Sequence, residues 1–271
     1  MNTAINNAAF VGSIPENYDQ HLGPVLFEPY ATDLASRVNV PPKASVLEIA
    51  CGTGIVTRHL RDSIPADARL TATDLNQAMM DYAAQKFRPE ENVAWKQADA
   101  TDLPFPDQSF DTVVCQFGLM FFPDKPNAAA EVYRVLKPGG AFLFNVWDDI
   151  EVNDLARTAH AIILKFFPEN PPDFYDVPFS FHEHQAIKSL LFGAGFHEIE
   201  LFVIPHTSVI HSARDVAHGL IHGNPVITAI KERDESKAPA VEAALAAAIS
   251  NQFRDSPVKA RMQALVCTAV R

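Results

Sequence analysis

Two groups of residues in this sequence could do chemistry. The first is Cys51-Gly52-Thr53-Gly54, a two-glycine run placed where an apolar strand pattern passes into a helical one. Such a turn lets backbone N–H groups and a helix N-terminus come close to a ligand. Asp74 stands 20 residues past Gly54, at the end of the next strand pattern. That is the spacing at which a carboxylate meets ribose hydroxyls in strand–turn–helix architectures. A plain tight turn and an Asp capping the next helix would use the same residues, but the order strand, turn, helix, strand, Asp favours a nucleoside site. The second group is histidine. Seven of the ten (His182, His184, His197, His206, His211, His218 and His222) fall between positions 182 and 222. His218 and His222 are four apart and share a helix face, so either could act as a general base toward an acceptor molecule. No Glu follows the first of them as in the zinc-protease motif, and no third ligand stands at a recognisable spacing, so no metal is expected.

Composition narrows the partners. The chain has 271 residues, 48% of them apolar and 20% charged, as in ordinary globular proteins. Its net charge of −11 repels phosphate backbones and anionic membrane surfaces, which argues against a nucleic-acid partner. No apolar run approaches the roughly 18 residues of a membrane span, and the N-terminus lacks a basic start followed by an apolar stretch. Cys51, Cys115 and Cys267 are an odd, scattered set that suits packing in a reducing cytosol rather than a disulfide framework. A cytoplasmic location is therefore expected.

The elements that would hold these residues follow from hydrophobic period. Strands are expected at 45–49, 69–73, near 93–96, at 110–115 and at 141–146, with helices from 55, from Asn76 to about 87 and over 127–136. Five βα repeats in about 105 residues predict an open, doubly wound sheet. Beyond Trp147 the alternation loosens. Helices are expected over 152–167 and 185–192 and within 206–260, and strand-like stretches at 198–204 and 262–270.

Within this frame the residues resemble a known family. Val46-Leu47-Glu48-Ile49-Ala50-Cys51-Gly52-Thr53-Gly54 looks like motif I of the class I S-adenosylmethionine-dependent methyltransferases. Thr73-Asp74-Leu75-Asn76, the segment Gln97 to Phe105, Ser109-Phe110-Asp111-Thr112-Val113 and Val135 to Gly140 are similar to the branch containing the quinone-biosynthesis C-methyltransferases. The resemblance implies a mostly parallel seven-stranded, Rossmann-like α/β sheet with helical lid insertions and an antiparallel last strand. It divides the chain into an N-terminal helical cap (1–42), a cofactor-binding core (43–147), a lid insertion (148–182), a sixth-strand unit (183–205), an acceptor-site insertion (206–260) and a last strand (261–271).

It also implies a cofactor, S-adenosyl-L-methionine, and its contacts. Glu48, Ala50, Cys51, Gly52 and Gly54 would flank the methionine moiety, Asp74 would accept from both ribose hydroxyls, and Leu75 would pack on the adenine. Asp99 would accept from the adenine amino group, Ala100 would donate its backbone N–H to the ring, and Gln116 and Phe117 would line the methyl-delivery side. Tyr18 would fold over the cofactor from the N-terminal segment, or else pack on the sheet edge. Ala50 replaces the glycine found in many members, so the turn is expected to keep φ negative there.

A sulfonium methyl is already activated, so transfer to a small molecule needs mainly proximity and orientation, with His218 or His222 as base if the acceptor must lose a proton. The rival readings are an NAD-dependent oxidoreductase on the same sheet and a protein that binds S-adenosylmethionine without transferring its methyl. Thr57 stands where the dinucleotide fingerprint calls for Gly or Ala, against the first rival. Phe166, Phe167, Phe174, Phe179 and Phe181 crowd the lid insertion, as the wall of an apolar acceptor pocket or as a minicore of the lid itself. Short apolar helices in 206–260 could also form a homodimer interface.

Overall fold

Short apolar strands alternating with amphipathic helices build one seven-stranded sheet in this computed structural model, which describes residues 7–253 and 257–271. Residues 1–6 of the N-terminal cap and 254–256 of the second insertion lie outside the described residues. The strands are β1 (Ser45–Ile49), β2 (Arg69–Asp74), β3 (Val93–Gln97), β4 (Phe110–Gln116), β5 (Leu136–Trp147), β6 (His197–Ile210) and β7 (Val258–Val270). They lie in the order β3-β2-β1-β4-β5-β7-β6. The first five run parallel, and β7 is antiparallel to both neighbours.

Burial follows position in the sheet. Every residue of central β1 is buried, whereas β6 at one edge is largely open to solvent. Chain order reverses between β1 and β4, which opens a crevice at the carboxyl ends of those two strands. The connecting helices are α3 (Ile55–Ser63), α4 (Gln77–Ala84) and α5 (Lys125–Val135). In α3 the sheet-facing Val56 and Leu60 are buried. In α5, Asp124 caps the start by accepting from the Asn127 backbone N–H at 3.0 Å. Asn76 does precede α4, but its side chain does not cap the helix; it donates to the Ala8 carbonyl instead.

The strands at the far edge outrun their expected ends. Antiparallel pairing continues from Ile204↔Ala264 to Ile210↔Val258, because each strand satisfies the other's backbone groups beyond the parallel part of the sheet. The resulting ribbon carries α8 (Ala213–His222), α9 (Val226–Asp234) and α10 (Ala238–Phe253). It also receives the N-terminal segment: Tyr30 donates to the Ile204 carbonyl at 3.2 Å, and Ser208 donates to the Val25 carbonyl at 2.6 Å. That segment comprises α1 (Ile14–Asn17), a π-helical stretch (Tyr18–Phe27) and α2 (Glu28–Ser36). Pro24 lies inside the π-helical stretch, where its missing N–H interrupts regular α-helical bonding.

The first insertion opens on α6 (Asp154–Phe166) and later leads into α7 (His184–Ala194). Its start is tied to β7. The Asp154 carboxylate accepts from the Arg261 backbone N–H at 2.9 Å and from the Arg261 guanidinium, while Asn153 exchanges bonds with the Gln263 backbone. The paired cation and the backbone donor hold the Asp154 carboxyl below the usual range, against the opposing effect of burial. A depressed carboxylate stabilises the fold above the unfolded-state range and loses that contribution as pH falls through its lowered value. Asp154→Ala is expected to cost about 2–3 kcal/mol at neutral pH, read as a lowered Tm. The gap to wild type should close as the pH drops below about 4; a gap that persists in acid would contradict the assignment.

Candidate active site

The turn after β1 is built from left-handed residues. Ala50, Gly52 and Gly54 have φ of 54°, 55° and 82°. The expectation of a negative φ at Ala50 is thus overturned: the chain keeps an L-residue in a conformation that costs roughly 1–2 kcal/mol. Asp74 holds the turn, its Oδ2 accepting from the Gly52 N–H at 2.9 Å and its Oδ1 from the Asn76 N–H at 2.8 Å. Glycine at 54 answers two demands, since it is left-handed and a Cβ there would meet the Ala83 Cβ at 3.0 Å. Gly54 lines neither of the two cavities described below; it shapes the turn that does.

A cavity of about 480 Å³ lies at the carboxyl ends of the central strands. Of the residues expected to hold the cofactor, Tyr18, Ala50, Gly52, Asp74, Leu75, Asp99, Ala100, Gln116 and Phe117 line it. Asp74 is 7% exposed, and burial raises its carboxyl above the usual range although backbone donors oppose the rise. Two backbone N–H groups leave lone pairs on both oxygens for further donors. Asp99 accepts from the Thr101 N–H and hydroxyl at 2.8 and 2.7 Å. Leu75, 53% exposed, offers an apolar face at the rim between them.

Glu48 and Cys51 line a smaller chamber of about 30 Å³, which shares Tyr18, Ala50, Gly52 and Gln116 with the larger one. Here Glu48 Oε2 and Thr53 Oγ1 are buried without a hydrogen-bond partner. Burial, aided by the Asp74 charge, pushes the Glu48 carboxyl up to about 8. Unpartnered buried polar atoms beside a chamber fit a ligand's cationic, hydrogen-bonding end. Burial also raises the Cys51 and Cys115 thiols, so neither is a thiolate nucleophile.

Aromatic rings wall the passage away from Asp74. Tyr18 stacks on Phe27 at 4.5 Å, and Phe117 stacks on Trp147 at 3.9 Å with 9° between planes. Phe117 has φ of 50°, an outlier for a bulky residue, and is held there because its N–H donates to both the Asn145 carbonyl and side chain. Asn145 and Trp147 were not singled out in the sequence. The available signal was a polar residue inside the apolar run Phe142 to Val146, near the carboxyl end of a strand beside the switch point. The lid phenylalanines divide: Phe174 and Phe179 line the cavity, whereas Phe166, Phe167 and Phe181 pack into the surrounding core.

The expected bases stand elsewhere. Neither His218 nor His222 lines the cavity, although Leu220 and Asn224, from the same helix and the turn after it, do. Both imidazoles meet Glu242 of α10, His218 Nδ1 at 3.2 Å and His222 Nε2 at 3.0 Å. The helical spacing did place them on one face, but that face packs on α10. Burial and the neighbouring His218 hold the His222 pKa below its ordinary value. Glu242 thus stands beside both imidazoles, a third side chain of ligand type that the spacing did not show.

Sheet order, switch-point cavity and acidic β2 end together define a Rossmann-like nucleoside-binding protein. A methyltransferase domain family matches residues 47–144. A ubiquinone/menaquinone biosynthesis C-methyltransferase UbiE of Escherichia coli is 30% identical over 171 residues, covering 58% of this chain and 68% of that protein. A demethylmenaquinone methyltransferase of Staphylococcus epidermidis is 29% identical over 205 residues, covering 69% and 83%. The chain belongs to the class I S-adenosylmethionine-dependent methyltransferases, in the branch similar to the quinone C-methyltransferases. The fold agrees with that of Haemonchus contortus phosphoethanolamine N-methyltransferase 2, solved with S-adenosylhomocysteine, at a TM-score of 0.61 and 17% identity over 95% of this chain and 56% of that one. The dinucleotide-dependent oxidoreductase reading falls with this membership.

The strained turn has a floor that can be tested. A Cβ at Gly118 would lie 2.5 Å from the Ala50 Cβ and 2.8 Å from the Cys115 Sγ. Gly118→Ala should therefore destabilise by about 1–3 kcal/mol in thermal melts and depress methyl transfer. A variant with native Tm and native activity would show that the turn yields freely.

Proposed function

We propose that this enzyme methylates a small aromatic acceptor bearing an ionisable oxygen, of the phenol or hydroquinone class. The observation that carries the reading is the single cavity running from Asp74 and Asp99 at one end to Phe174, Tyr175 and Phe179 at the other. S-adenosylmethionine supplies an activated methyl group on a sulfonium. Asp74 would bind the ribose hydroxyls, Asp99 and Ala100 the adenine edge, Leu75 its face, and the Glu48 chamber the methionine amino end. Tyr18, Gln116 and Phe117 would border the transfer site, where ring faces favour a sulfonium.

No His, Lys or Glu lines the large cavity among the described residues, and its carboxylates stand at the nucleoside end. An acceptor that needs a strong protein base suits such a site poorly, whereas a ring activated by its own oxygen does not need one. At the acceptor end Asn153 and Tyr175 are committed to backbone carbonyls. Arg261 directs Nε and Nη2 to Asp154, and its Nη1 is free of that pair to meet an anionic oxygen. The relatives named for demethylmenaquinone and ubiquinone/menaquinone methylation support this acceptor class. The three cysteines, all unpaired and buried, support a reducing compartment such as the cytoplasm.

Labelled methyl transfer tests the acceptor. A hydroquinone with a free ring carbon should gain a carbon-bound methyl; transfer only to a simple amine would overturn the class. In the same assay Asp74→Ala should weaken cofactor affinity by about 10–100-fold, while Phe174→Ala should raise the acceptor KM with cofactor affinity unchanged.

Glu48 gives a second test. With a carboxyl near pH 8, it is mainly protonated at pH 7 before binding, and a cationic amino group favours the carboxylate. Binding should release a proton, and affinity should rise as pH increases from 6 toward 8. Calorimetry in two buffers of different ionisation enthalpy reads the release, which Glu48→Gln should abolish. Equal release from both proteins would exclude Glu48 as its source.

A further inference from the structure

The His218, His222 and Glu242 cluster does not line the transfer cavity. Its ligand atoms all fall within 4.8 Å of one another. The imidazole rings stack at 4.4 Å with 19° between planes, so both present nitrogens to the same carboxylate, at 3.2 and 3.0 Å. Ligands at about 2.0–2.1 Å on a tetrahedral zinc ion stand about 3.3 Å apart, and small side-chain shifts reach that geometry.

Hydrogen-bond accounting at His218 points the same way. Asn17 donates its Nδ2 to the Ser13 carbonyl at 3.1 Å, which fixes its amide so that Oδ1 faces His218 Nε2 at 3.3 Å. The Nε2–H must therefore donate to Asn17. The His218 Nδ1 faces the Glu242 carboxylate at 3.2 Å, so a cation seated between the two would be liganded by both. A ligating histidine whose other ring nitrogen donates to a carbonyl oxygen is the usual arrangement at metal sites, because that bond sets tautomer and ring orientation.

We infer that His218, His222 and Glu242 bind one divalent transition-metal cation of the zinc type, with solvent completing the shell. The ion joins α8 to α10. Through Asn17 it also anchors the N-terminal segment just before Tyr18, and Leu220 on α8 and Asn224 just beyond it line the transfer cavity. The site is thus a staple for the roof of the acceptor pocket. His21, whose ring lies edge-on to His218 at 5.2 Å, is the nearest further imidazole.

Zinc chloride titrated into the metal-stripped, untagged full chain, followed by calorimetry, tests this. One equivalent should bind and raise the Tm. Glu242→Gln and His222→Ala should each weaken zinc affinity by more than about 100-fold, and Asn17→Ala by about 10–100-fold. Each variant's S-adenosylmethionine affinity serves as the check that it folds. No saturable binding by the wild type, or binding undiminished in a folded Glu242→Gln, would overturn the site and assign any residual zinc to other surface histidines.

Discussion

The Asp74 carboxylate is the hinge on which the rest depends. Three left-handed residues, one of them an alanine, must be held in the turn after β1, and Asp74 clamps it by accepting the Gly52 N–H. The same carboxylate takes the Asn76 N–H and so fixes the entry to α4. One side chain therefore sets the shape of both loops that face the nucleoside end. Its burial raises the cost of keeping it ionised, and the backbone donors offset part of that cost. A carboxylate held this way is preorganised: its two backbone donors fix its orientation toward the cavity.

Around this clamp the cavity separates tasks by dielectric. Carboxylates gather at the Asp74 end and in the Glu48 chamber, where Glu48 Oε2 and Thr53 Oγ1 are buried without a partner. The opposite end is aromatic, with Trp147 and Phe117 stacked at the border and Phe174 and Phe179 beyond it. Methyl transfer from a sulfonium suits that division, because orientation of the reactants does most of the work. The β6–β7 ribbon supports both halves, carrying the helical roof on one side and receiving Tyr30 and the Val25 carbonyl on the other.

The nucleoside half was largely legible in the sequence because its determinants are local. Gly52, Gly54 and Asp74 act within one βα unit, and residues close in sequence fix the geometry that matters. Leu75, Asp99 and Ala100 came from the resemblance to the family's motifs, and the structure places all three at the cavity. The sign of φ at Ala50 was not legible. The Ala50 Cβ packs over Gly118, a residue distant in sequence, and no local pattern shows that contact. The acceptor half was hardly legible, for the same reason on a larger scale. Phe174 and Phe179 line the cavity while Phe181, a near neighbour, is part of the surrounding core, and nothing in their spacing separates them.

By itself the sequence determined the alternating sheet, the cofactor turn and the acidic β2 end, since periodicity and short-range spacing are properties of single elements. It also placed His218 and His222 on one helical face. Only the tertiary structure decided what that face meets. Glu242 arrives 20 residues after His222 on an antiparallel-strand-borne roof, and Asn17 arrives from the far end of the chain. Which side chains share a cavity or a carboxylate depends on how elements pack. Packing is fixed by the total of buried apolar surface over the whole chain, and no local pattern encodes it.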